Sequence, residues 1–169
     1  MTTKRILLLF TILCALLFPV RSFATEAADE TRDVRAFLTR LFHERAEYLI
    51  DQKPEALKRL YVMNDKLGRY AYEQELLRGR YLNAWAEKRG IVLTAAESGI
   101  RIGRIRSDGK RAKISLNQSL KMTYVYKDGE YEPQYFGVGT RHGLTLQKEN
   151  GEWRVLREWY TDPLTENPK

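Results

Sequence analysis

His142 and Asp162 are the residues of this sequence best suited to proton chemistry. A histidine oriented by a carboxylate can act as general base or general acid. Arg141 stands directly before His142 and belongs to the same candidate group. The surroundings argue the other way. Val138, Leu144 and Leu146 share the alternation of His142 along one stretch, and a lone histidine on such a face is more often a hydrogen-bonded core residue. No catalytic residue is therefore assigned, and His142 and Asp162 stand as candidates. Tyr124, Tyr126, Tyr131, Tyr135, Trp159 and Tyr160 gather in the same part of the chain. Aromatic rings with polar tips suit carbohydrate, peptide or small apolar ligands. The expected ligand-binding set is Tyr126, Tyr135, Arg141, His142 and Tyr160, with Tyr124 and Trp159 assigned to the core. His43 and His142 are the two histidines, and neither has metal-ligand spacing. No glycine motif cradles a phosphate, so neither metal nor cofactor is expected.

The amino terminus has the features of an export signal. Lys4 and Arg5 precede an uncharged, largely apolar run from Ile6 to Val20, 15 residues long. A membrane span needs about 18 or more. Ser22-Phe23-Ala24 offers small residues where a signal peptidase reads them, so cleavage after Ala24 is expected. The domain would then occupy residues 25–163, with a polar tail at 164–169. Leu13 before Cys14 is bulky and the apolar run continues past it, which argues against a lipidation site. Cleavage removes Lys4, Arg5 and Arg21, leaving 26 basic and 22 acidic residues, a charge of +4. Mixed charges of that size are not a nucleic-acid footprint. Cleavage also removes Cys14, the one cysteine, so the mature chain has no disulfide, thiolate ligand or cysteine nucleophile.

The mature chain divides into a helical half and a strand half, the order of an α+β domain. Val34, Phe37, Leu38, Leu41, Phe42, Tyr48 and Leu49 predict a first helix over Thr31–Ile50. A short second helix should begin at Pro54 and carry Leu57, Leu60 and Tyr61. A third, capped by Asn64 or Asp65 and ended by Gly90, has an apolar stripe of Leu67, Tyr70, Leu77, Tyr81, Ala84 and Trp85. That stripe, Trp85 included, is expected to pack against the sheet. Four strands should follow. The first is bent by a bulge at Gly103 and closes a hairpin at Asp108-Gly109. The second alternates cleanly from Ala112 to Tyr126, and the third carries Phe136, Val138, Thr140, His142, Leu144 and Leu146 on one face. Asn150-Gly151 turns into the last strand, Glu152–Thr161. Arg101, Arg104, Arg106, Lys110, Arg111 and Lys113 make the first hairpin basic, which reads as a solvated, aggregation-resistant edge.

Helices followed by a curved four-stranded antiparallel sheet resemble the NTF2-like (cystatin-like) roll, in which helices cover the mouth of a cone. Two segments carry a closer likeness, Leu67-Gly-Arg-Tyr-Ala-Tyr-Glu with Arg80-Tyr-Leu-Asn-Ala-Trp-Ala-Glu-Lys-Arg-Gly90, and Gly137-Val-Gly-Thr-Arg-His142 with Trp153-Arg-Val-Leu-Arg-Glu-Trp-Tyr-Thr-Asp-Pro163. Together they resemble the amino-terminal NTF2-like region of exported amidase proteins of spore-forming Gram-positive bacteria. There the region precedes a papain-like amidase domain with a catalytic cysteine and histidine. This sequence ends at Lys169 without an amidase half. The resemblance therefore implies an accessory domain and does not carry amidase activity over.

Three functional readings follow. The first is an exported, non-catalytic binding or accessory module at the cell envelope, whose partner is an envelope component or a wall-acting enzyme. The second is a small-molecule NTF2-like enzyme using His142 and Asp162 in the cone. The third is an oligomeric structural or interaction protein, with a homodimer through the sheet. None involves nucleic acid, and the membrane enters only through the signal segment. A deep polar pocket around His142 would favour the second, and a filled cone the first or third.

Overall fold

Apolar residues three and four apart make helix α1, residues 28–51, one-sided. Val34, Phe37, Leu38, Leu41, Phe42, Tyr48 and Leu49 are all buried on that side. The structure is a computed structural model, described here over residues 28–129 and 133–161. The export segment and its cleavage site lie outside these residues, as do Tyr131 and Asp162. Gln52 ends α1 with a positive φ of 57°, and its backbone N–H donates to the Tyr48 carbonyl at 3.0 Å. Pro54 then opens α2, Glu55–Lys58, a single turn that buries Leu57. Leu60 and Tyr61, expected on this helix, lie beyond it. They run alongside the last strand instead, where Val62 N–H donates to the Val155 carbonyl and Val155 N–H to the Leu60 carbonyl. This pairing covers a sheet edge that would otherwise be open.

Asp65 caps α3, Lys66–Lys88, by accepting from the Leu67 N–H at 2.7 Å. Its inward face corrects the expected one. Gly68, Ala71, Tyr72, Glu75, Gly79, Leu82 and Ala86 are buried, while Leu67, Tyr70, Leu77 and Tyr81 face outward. The reason is close approach. A Cβ on Gly68 would collide with the Val62 carbonyl, and one on Gly79 with the Tyr48 ring. Small residues let the helix sit against its neighbours at a distance that large side chains would forbid.

Gly90, at φ 67°, turns the chain into an antiparallel meander of β1 (Ile91–Ser107), β2 (Arg111–Tyr126), β3 (Gln134–Glu149) and β4 (Glu152–Tyr160), in that spatial order. Three bulges bend it. One is at Gly103 as expected, and the others are at Thr94 and at Leu156. Asn150 and Gly151, both at positive φ, make the tight turn before β4. Buried and exposed residues alternate along β2 from Arg111 to Met122, and the buried set packs under the helices. The side chains of the basic hairpin are exposed.

The core has two parts. The larger joins α1 and the segment after α2 to Ile114, Leu116, Leu144, Leu146, Trp153 and Val155. The smaller lies where Ala46, Leu49, Leu82 and Ala86 meet Ile91, Leu93, Leu120 and Met122. Trp85 packs partly buried on this second group, its ring 5.4 Å from that of Phe136.

Candidate functional site

At the centre of the cone the helices and the sheet meet through charged side chains. Arg45 projects from the apolar stripe of α1 and is almost completely buried. Its guanidinium grips Glu158 of β4 with two hydrogen bonds, Nη1 to Oε1 at 2.9 Å and Nη2 to Oε2. It also donates to the Tyr61 hydroxyl from Nε at 3.1 Å and Nη2 at 2.6 Å. Glu75 of α3 supplies a second buried carboxylate, its Oε2 lying 3.5 Å from Arg45 Nε. Among the described residues that oxygen accepts no hydrogen bond. The Phe42 ring is stacked 5.0 Å from the guanidinium carbon.

His142 joins the same network from β3. Its Nδ1 is 2.7 Å from Glu158 Oε1, and its Nε2 is 3.0 Å from the Gln118 carboxamide oxygen. Gln118 in turn reaches Ser98 Oγ at 2.9 Å. An ionised carboxylate and a carboxamide oxygen both only accept, so Nδ1–H donates to Glu158 and Nε2–H to the Gln118 oxygen. The Phe42 ring, nearly perpendicular to the imidazole with ring centres 5.1 Å apart, and the Tyr160 ring, with centres 5.6 Å apart, close over it. None of its surface is exposed.

Electrostatics lock this arrangement. Burial alone would raise the Glu158 carboxyl, but the Arg45 charge and the hydrogen bonds from His142 and Arg45 override it. They hold it at about 2, against an ordinary 4.5. Burial alone would lower Arg45, but the carboxylates of Glu158 and Glu75 push it well above its usual value. The Tyr61 phenol is raised by burial and stays protonated. These groups therefore keep fixed charges at neutral pH, as structural partners do. A general base needs an open approach to the proton it takes.

The five expected ligand residues are not brought together. His142 points into the cone, whereas Arg141 and Tyr135 lie on the other parity of β3 and are exposed on the opposite face of the sheet. Lys121 sits 4.9 Å over the Tyr135 ring there. Tyr160 is half-buried beside His142, with Arg78 5.2 Å over its ring. Tyr126 stands apart, in a cleft of about 450 Å³ lined by Trp85, Arg89, Ile91, Tyr124, Tyr126 and Phe136. The Arg89 guanidinium stacks 4.4 Å from Trp85, and Tyr124 and Tyr126 meet edge to face at 5.8 Å. Tyr124 is partly buried against the smaller core group. Trp159, assigned to the core, is exposed on the outer face and lies over Gly143, where a Cβ would collide with it.

Arg45, Glu75, Gln118 and Glu158 were not expected as a group, and two of them left a signal. Arg45 sits three and four residues from Phe42, Leu41, Tyr48 and Leu49, inside the apolar stripe. Gln118 interrupts the alternation of Leu116 and Leu120. Glu158 left none, because the bulge at Leu156 reverses the parity of β4 and turns it inward. Among the described residues no cluster of histidine, cysteine or acidic side chains could hold a metal ion.

No family model matches the sequence, and no curated protein does. Solved structures do. The intermembrane-space region of the chloroplast protein ARC6 superposes with a TM-score of 0.53 at 10% identity, over 76% of this chain and 94% of that one. A proposed dehydratase of the NTF2-like family from Streptomyces avermitilis gives 0.55 at 14% identity, over 79% and 96%. Rv3472 from Mycobacterium tuberculosis, a protein of unknown function, gives 0.50 at 17% identity, over 86% and 79%. At such identities the likeness is one of fold. Helices laid across the concave face of a bent antiparallel meander, shared with these structures, make this an NTF2-like α+β fold.

Proposed function

We propose that this protein is an exported, non-catalytic binding module of the cell envelope, binding wall material or an enzyme that acts on it. The observation that carries the reading is the filled cone. The position where an enzyme of this fold would need an open acid–base site is occupied by Arg45, Glu158 and His142, paired with one another and shut in by Phe42 and Tyr160. One opening available to a ligand is the cleft of Trp85, Tyr124, Tyr126 and Phe136, with Arg89 at its side. Flat aromatic faces with hydroxyl tips and one cation suit a glycan or peptide of the wall, and no residue there is arranged as a nucleophile with its base. The resemblance to the amino-terminal region of exported amidase proteins of spore-forming Gram-positive bacteria supports the same setting. One observation favours the enzyme reading, the 2.7 Å contact of His142 with a carboxylate. That reading requires Phe42 and Tyr160 to move aside.

Retention on purified cell-wall sacculi tests the proposal. Tyr126→Ala and Arg89→Ala should each weaken retention by about tenfold, roughly 1.4 kcal/mol, with little effect on the thermal midpoint. His142→Gln should lower the midpoint by several degrees and leave retention intact. Retention that is absent in the wild type, or that depends on His142 and not on the cleft, would overturn the reading.

A further inference from the structure

The residues that α3 turns outward have a regular spacing. Leu67, Tyr70, Gln74, Leu77, Tyr81 and Ala84 follow one another at steps of three and four, so the stripe repeats every seven residues. That is the spacing of a helix packed lengthwise against another helix. Leu67, Tyr70, Leu77 and Tyr81 are 48, 59, 52 and 53% exposed. The fold uses the other side of the helix, through Gly68, Ala71, Tyr72, Glu75, Gly79, Leu82 and Ala86. The outward stripe therefore contributes little to the monomer, although it runs for about 26 Å at 1.5 Å per residue.

We propose that α3 is a dimerisation helix, pairing antiparallel with α3 of a second copy of this chain about a twofold axis between Gln74 and Leu77. The charges beside the stripe fix both the occupant and the direction. Lys66, Glu73, Arg80 and Glu87 also recur every seven residues, all exposed on one flank, and they alternate in sign. In an antiparallel pair Leu67 lies against Ala84 of the second copy, Tyr70 against Tyr81 and Gln74 against Leu77. The charged flank then meets the same flank running in reverse. Lys66 faces Glu87 of the second copy, Glu73 faces Arg80, and the twofold axis repeats both pairs. Every charge on the flank finds its opposite. A parallel pair would set this flank against Ala71, Arg78 and Trp85, leaving Glu73 with Arg78 as its one kind of opposite-charge contact. A surface complementary to itself under a twofold rotation is the mark of an isologous dimer. Gln74 is the single polar residue in the stripe, and such a residue sets register at some cost in affinity. Within one copy Glu87 has an exposed contact with Lys127 at 3.8 Å, weak enough to be exchanged.

Sedimentation velocity of the purified protein at about 100 µM, a concentration that populates a dimer of micromolar or tighter affinity, tests this. The wild type should sediment as a dimer. Leu77→Glu and Glu73→Arg should each raise the dissociation constant at least about tenfold, and Glu73→Arg combined with Arg80→Glu should return it to near the wild-type value. Leu77 is half exposed, so the far-ultraviolet circular dichroism of Leu77→Glu should match the wild type. If that variant does not fold, the charge reversal and its rescue decide alone. A monomeric wild type, a dimer indifferent to both single changes, or a charge reversal without rescue would each overturn the proposal.

Discussion

Arg45 occupies a place that the spacing of α1 reserves for an apolar side chain, and two carboxylates compensate it there, Glu158 and Glu75. A buried ion of either sign is tolerated only with such partners. The arrangement has a consequence for acid stability. The Glu158 carboxyl is held at about 2 in the folded protein against an ordinary 4.5. Its folded value is depressed, so its contribution is fully present above about pH 4.5 and is lost as the pH falls toward about 2. Urea midpoints of the wild type should therefore drop through that window, with this group supplying on the order of a few kcal/mol of the loss. Glu158→Gln should be less stable at neutral pH and should lack that part of the slope. Equal slopes in the two proteins would contradict the pairing. The burial of His142 was legible from its aliphatic neighbours of like parity. Its partner was not. Asp162 was the carboxylate expected and lies outside the described residues, while Glu158 is brought round by one extra residue in β4, which no alternation pattern reveals.

Helix α3 separates what periodicity can and cannot tell. Its extent, a cap at Asn64 or Asp65 and its end at Gly90 followed from the chain, because capping and φ > 0 depend on a few local residue types; the structure selects Asp65. Its orientation did not. The eye follows the large apolar residues, Leu67 to Tyr81, but the fold packs the small ones, because Gly68 and Gly79 meet Val62 and Tyr48 at distances that exclude a Cβ. Trp85 lies at the border of the two faces and keeps its expected contact with the sheet through Phe136. It is only partly buried, so Trp85→Ala should cost about 1–3 kcal/mol in urea melts, less than the 3–5 of a fully enclosed aromatic. A loss below about 0.5 kcal/mol would mean that the ring is not seated on Phe136. Among the strands, the Gly103 bulge was readable because Ile105 falls out of step with Ile100 and Ile102. The bulge at Thr94 was not, since Leu93, Thr94 and Ala95 show no such break.

For the molecule as a whole, the succession of helices and then strands, with turn residues at Asp108-Gly109 and Asn150-Gly151, was enough to place the chain in the α+β class and to suggest the NTF2-like roll. Whether the cone is open was beyond that kind of reading. It depends on four side chains from distant parts of the chain, Arg45, Gln118, His142 and Glu158, meeting at hydrogen-bond distance. The claim that the cone is closed is therefore the one on which the binding-module account depends, and the two histidines make it directly measurable. His43 is exposed on α1, and His142 has no exposed surface. Diethyl pyrocarbonate acylates accessible imidazoles, and peptide mass spectrometry assigns the adduct to one histidine or the other. In the folded protein the reagent should modify His43 and spare His142, which should react only after unfolding in urea. Modification of His142 in the folded protein at a rate comparable to His43 would show an open cone and contradict the account.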